Sequence, residues 1–160
     1  MKKIWPIIAI AIVLALALFL ILRPKNKKLS FTFDPTNSAI HYETGASHAE
    51  WGKTTFDVSK DGQATYNTYK GLKLEETHTF EVSATEMTKI LDVAAKNDFF
   101  SLQNNYIDPM IMDGGYSTLT INTGDQSKTV RLTNYDLPEF SAIESELYTL
   151  ISTKTGKIIY

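Results

Sequence analysis

Nineteen consecutive residues, 4–22, opening on Ile4 and Trp5 and closing on Leu22, carry no charge and no strongly polar side chain. A helix rising 1.5 Å per residue would carry such a run about 28 Å, close to the hydrocarbon thickness of a bilayer. The run therefore predicts a transmembrane anchor over residues 1–28, followed by one soluble domain over 29–160. A cleavable signal peptide has a shorter apolar core and a small-x-small site, whereas Leu22 runs directly into Arg23-Pro24-Lys25-Asn26-Lys27-Lys28. The anchor is thus read as uncleaved and single-pass. Trp5 suits the interface belt, and Pro6 sits near the helix start, where its missing N–H costs little.

Positive charge is nearly balanced across the run, with Lys2, Lys3 and the amino terminus before it and Arg23, Lys25, Lys27 and Lys28 behind it. A three-residue tail ahead of a long segment is the usual form of a signal-anchor, so the expected location is the cell membrane with the domain extracytoplasmic. The lipid bilayer is the first expected partner. From Leu29 onward ten Lys and Arg face eighteen Asp and Glu, a net charge of −8 that the whole-chain value of −2 hides. A nucleic-acid reader needs a positive face, and the only basic cluster adjoins the anchor, so no nucleic acid is expected. The chain has no cysteine, which removes disulfides, cysteine lipidation and cysteine-based zinc or redox chemistry.

The apolar periodicity places the elements. Phe56 and Val58 alternate on one arm of a hairpin and Ala64 and Tyr66 on the other, with Asp61-Gly62 between. A three-residue loop ending at Gly62 pairs Val58 with Ala64 and Phe56 with Tyr66, whereas a two-residue turn would mix faces; the loop with a left-handed Gly62 is predicted. His78, Phe80 and Val82 share a strand face, and Ser83 with Glu86 forms a capping box. Met87, Ile90, Leu91 and Ala94 then fall at i, i+3, i+4 and i+7 of a helix, with Phe99, Phe100 and Leu102 plugging the core beneath it. Residues 103–115 read as the longest irregular loop. Parity pairs Leu119 with Leu132 and Ile121 with Val130 in a second hairpin. Asp136 is expected to cap a closing helix with the stripe Phe140, Ile143, Leu147, Leu150 and Ile151. The expected architecture is α+β: an N-terminal transmembrane helix, then an antiparallel sheet of about five to seven strands packed against two helices.

No constellation of catalytic or cofactor-binding residues stands out. His41, His48 and His78 match no zinc spacing, and no phosphate-binding glycine motif exists, so no nucleotide and no cofactor are expected. Asp108 and Asp113, with Asn104 and Asn105, could offer oxygens to calcium, but the spacing fits no calcium loop and turn chemistry accounts for them. Glu144 with Glu146 is a carboxylate pair that a solvated helix face explains. Loop 103–115 remains the candidate binding loop, with Tyr106, Asp108, Asp113 and Tyr116 as its residues, because exposed tyrosines give a partner amphipathic contact area.

The Asp61-Gly62 hairpin, the run Asp98-Phe99-Phe100-Ser101-Leu102 with Tyr106, the Asp113-containing approach to the next strand, and Leu137-Pro138 opening a helix with Glu144 carry a resemblance. From about 39 to 151 the chain resembles an uncharacterised family of small bacterial envelope-associated domains of unknown function. The expected function is a membrane-anchored binding or structural module of the cell envelope, with an envelope protein as partner. Two alternatives stand beside it: an envelope hydrolase using the loop carboxylates, and a cytoplasmic adaptor tethered to the membrane.

Overall fold

The computed structural model describes residues 33–111 and 113–157. Strands β1 (Ala39–Ala46), β2 (Lys53–Val58), β3 (Gln63–Lys70) and β4 (Lys73–Glu81) run into helix α1 (Ala84–Lys96). Strands β5 (Asn105–Ile107), β6 (Gly115–Asn122) and β7 (Ser127–Thr133) follow, and helix α2 (Pro138–Thr155) closes the fold. All seven strands form one sheet in the order β4-β3-β2-β1-β6-β7-β5.

Alternation divides the sheet into two unlike faces. Ile40, Tyr42, Phe56, Val58, Leu119, Ile121 and Val130 point to one side and are buried. The register joins them across strands, with Ile40 between Val58 and Ile121, and Tyr42 between Phe56 and Leu119. The buried stripes Met87, Ile90, Leu91, Ala94 of α1 and Phe140, Ile143, Leu147, Leu150, Ile151 of α2 complete this core. The opposite face is polar, with His41, Asp57, Thr120, Thr129 and Arg131 among its residues, and no helix covers it among the described residues.

The capping box forms as the sequence predicts. Ser83 Oγ accepts the Glu86 backbone N–H, and Glu86 Oε2 accepts the Ser83 N–H at 2.8 Å. Lys154 reaches across from α2 to Glu86 at 2.9 Å and ties the two helices. Val58 pairs with Ala64 and Phe56 with Tyr66, and Gly62 is left-handed at φ 81°. Asp98 adopts φ 51° ahead of the Phe99–Ser101 turn, which turns the chain so that Phe99 enters the core fully buried.

Several expectations need correction. No helix among the described residues is long and apolar enough to cross a membrane. The expected span, with Ile4, Trp5, Leu22 and Arg23, and the extended segment 29–32 lie outside the described residues. The transmembrane, single-pass signal-anchor element is therefore withdrawn from the architecture. The sheet is mixed rather than antiparallel, because β5 lies parallel to β7 with Tyr106 beside Leu132. Three residues carry no periodic signal, so this strand was concealed in the expected 103–115 loop. The second hairpin keeps the expected faces but slips by two: Leu119 pairs with Val130, and Ser117 with Leu132. Its loop closes earlier, through the Asn122 side chain accepting the Gly124 N–H at 2.8 Å and Thr123 N–H donating to Gln126 O at 2.9 Å. Asp136 does not cap α2; Leu137 occupies the N-cap with Pro138 next, and Asp136 Oδ1 accepts from Ser141 Oγ at 3.1 Å instead.

Candidate functional site

Where β1 ends and β6 begins against the first turns of α2, an open cleft of about 370 Å³ is lined by Thr44, Ser117, Asn134, Tyr135, Asp136, Ser141 and Glu144, among others. The β7–α2 connection builds its rim. Asn134 takes φ 54°, a left-handed value that asparagine tolerates better than most residues. Its backbone N–H donates to Gly115 O at 2.9 Å and its Nδ2 to Ile111 O at 2.7 Å, which fixes the turn on both sides. Pro138 then starts α2, and one turn on, Ser141 hydrogen-bonds both Asp136 and the Leu137 carbonyl.

Of the cleft's lining residues, Glu144 is held from behind by a network with two tyrosines. Tyr42 is 1% exposed, and its hydroxyl donates to Glu144 Oε1 at 2.7 Å. With that proton committed, the Tyr148 hydroxyl donates to Tyr42 at 2.5 Å, and the rings meet edge-on with centroids 5.8 Å apart. Burial, reinforced by the charge of Glu144, pushes the Tyr42 phenol far above its ordinary range, and burial raises Tyr148 too. Tyr42 is thereby a fixed neutral donor that aims the Glu144 side chain.

The ion pairs among the described residues lie elsewhere. Lys53 holds Glu43, Lys154 holds Glu86, and Lys157 holds Glu76. His41 faces Asp57 at 2.6 Å, and His48 faces Asp113 at 3.2 Å. Glu144 and Asp136 have no cationic partner among the described residues. The cleft is an acceptor-rich site that can take an ammonium or guanidinium group. No group of three or more metal-ligating side chains that could hold a metal ion exists among the described residues.

The four residues expected to form a binding loop are dispersed. Tyr106 pairs with Leu132 on the helix-covered face, accepts the Gln103 N–H at 3.0 Å and stands 5.4 Å from Tyr135, so it supports the rim from behind. Asp108 accepts the Met110 N–H at 2.9 Å, the turn role its position before Pro109 suits. Asp113 meets His48 on an exposed surface. Tyr116 is paired with Thr133 and belongs to the open face. There its hydroxyl donates to Glu43 Oε1 at 2.6 Å and the Arg131 guanidinium stacks over its ring at 4.5 Å. Tyr116 is the only one of the four among the cleft's lining residues.

Glu144 is half-buried and its carboxylate is held by Tyr42, and this grouping with Tyr42 and Tyr148 is what sequence reasoning missed. A signal was present: Glu144 and Tyr148 lie four apart and directly follow the buried Ile143 and Leu147, so the stripe's flank carries them against the sheet.

These features define a class: a small α+β domain with two helices on one face of a mixed seven-stranded sheet and an acidic cleft at the sheet's end. The chain belongs to the family described as Domain of unknown function (DUF6438), whose profile matches residues 38–151. That span runs from the start of β1 through Ile151 of α2 and includes every cleft residue named above. The expectation of an uncharacterised family thus holds. A search of curated proteins finds no match.

Proposed function

We propose that this domain is a binding module of the bacterial cell envelope whose cleft receives a positively charged group of a partner protein. The envelope setting rests on the sequence resemblance alone. The observation that carries the binding reading is Glu144: a carboxylate aimed by a buried tyrosine, at a cleft, with no cation of its own. A buried donor spent on orienting a side chain is the arrangement of a preorganised site. Asp136 adds a second carboxylate at the rim, and the net charge of −8 beyond residue 28 favours approach of a cation.

The test is an NMR titration of the ¹⁵N-labelled protein with Nα-acetyl-lysine methylamide and, separately, with the glutamate analogue. Amide shifts confined to Gly115, Ser117, Asn134 and Ser141, seen with the lysine compound alone and lost in Glu144→Gln, are expected. Glutamine retains an oxygen for the Tyr42 hydrogen bond while removing the charge, so the fold is kept. Equal shifts from both compounds, or shifts indifferent to Glu144→Gln, would discard the reading.

A further inference from the structure

At the end of the sheet where the cleft opens, three large apolar side chains stand in water within five residues: Ile107, which alternates with Tyr106 and so lies on the open face, is 61% exposed, Met110 87% and Ile111 48%. Exposed aliphatic side chains occur singly on most surfaces, but a group of them on one short segment marks a contact surface. This segment is held in place. Asp108 N–H donates to Thr133 O at 3.1 Å, Met110 N–H to Asp108 Oδ1 at 2.9 Å, and Asn134 Nδ2 to Ile111 O at 2.7 Å. The last bond joins the segment to Asn134, which with the 44% exposed Tyr135 lines the acidic cleft.

From this continuity we infer that Met110, Ile111 and the cleft form one docking surface, whose occupant is a partner-protein segment with a basic side chain flanked by aliphatic ones. The inference rests on the reading of the cleft as a cation site and specifies its partner. Charge complementarity selects this occupant. Asp108, Asp136 and Glu144 all lie on or beside the surface, and none has a Lys or Arg partner among the described residues. Three carboxylates repel an anionic bilayer and an acidic peptide, while a lysine or arginine between aliphatic neighbours satisfies both halves. The hydrogen bonds that pin the segment lower the ordering cost of binding.

The experiment compares three fluorescently labelled peptides against the full chain by anisotropy: Gly-Ile-Lys-Leu-Gly, Gly-Gly-Lys-Gly-Gly and Gly-Ile-Gln-Leu-Gly. The first is expected to bind about tenfold more tightly than either of the others, since partial burial of two aliphatic side chains is worth about that factor. In the double variant Met110→Ser with Ile111→Ser, the two lysine peptides should converge on one affinity. Both side chains point into solvent, so unfolding midpoints should match those of the parent and confirm the fold. Equal binding of the two lysine peptides to the parent overturns this inference and leaves the cation site standing. Absence of binding by either lysine peptide overturns both. If the glutamine peptide matches the first, the segment acts without the cleft and the inference fails. Phosphatidylglycerol vesicles that bind the parent and not the double variant would assign the segment to a bilayer, which also overturns it.

Discussion

Tyr42 is a core residue with a polar end, and its hydroxyl joins the sheet to the carboxylate of Glu144. Removing it leaves Tyr148 and Glu144 without the partner they share. Tyr42→Phe should therefore destabilise by roughly 1–3 kcal/mol, the range for a buried hydrogen bond to a charged group, read as a shift of the urea midpoint with an unchanged slope. An unaltered midpoint would mean that water replaces the hydroxyl and that Glu144 is not fixed. Tyr116 makes a contrasting case on the open face. Burial, with the hydrogen bond to Glu43 and its charge, pushes its phenol up to about 12, against a partial offset from Arg131. Ultraviolet titration should find one tyrosine ionising about there, moving back toward the ordinary value of 10.0 in Glu43→Gln. Glu43 itself is pushed up by burial but ends below its usual range, because Lys53 and Tyr116 both donate to it. Neither tyrosine role was legible in the sequence, since each depends on a partner 73 to 106 positions away that only the closed sheet and α2 bring near.

Elements were read well wherever one local rule sufficed. The Gly62 hairpin had a single register that kept both arms on one face, and the left-handed glycine completes it. A Cβ at Gly62 would lie 2.7 Å from Val82 O, so Gly62→Ala should cost more than about 1 kcal/mol on that clash and on φ together. The β6–β7 hairpin shows the limit of the same method: parity fixes the face but not the offset, and side-chain hydrogen bonds within the loop decide the offset. The three-residue β5 lies below any periodic signal, and its parallel partner is fixed by packing rather than by a turn. At the start of α1 the capping box makes a pH prediction. The backbone N–H of Ser83, then Lys154, lower the Glu86 carboxyl from 4.5 to about 2. Its folded value lies below its unfolded one, so its contribution is complete above about pH 4.5 and is lost as pH falls through about 2. The stability gap between the parent and Glu86→Ala should therefore close across that window, while Ser83→Ala costs about 1 kcal/mol at neutral pH.

At the scale of the whole molecule the governing quantities are a one-sided sheet and a lopsided charge. The sequence announced both, through alternating strands with polar outer positions and through ten basic against eighteen acidic residues beyond residue 28. What it could not announce was the strand order, in which β1 sits between β2 and β6. That placement decides that Thr44, Ser117 and Glu144 converge at one end, and it comes from burying Ile40 and Tyr42 among residues distant in sequence. The charge, by contrast, acts at long range and predicts kinetics. A field set by −8 attracts a cationic peptide from a distance but is screened within about 8 Å at physiological ionic strength. The contact between a lysine and Glu144 is short-range and is screened far less. Stopped-flow binding of Gly-Ile-Lys-Leu-Gly should therefore show an association rate that falls steeply with added salt and a dissociation rate that barely moves. Glu144→Gln should do the reverse, raising dissociation while leaving most of the salt dependence of association intact, because seven of the eight net negative charges remain. Loss of the salt dependence in that single variant would place the attraction in the cleft alone and remove the field of the domain from the account.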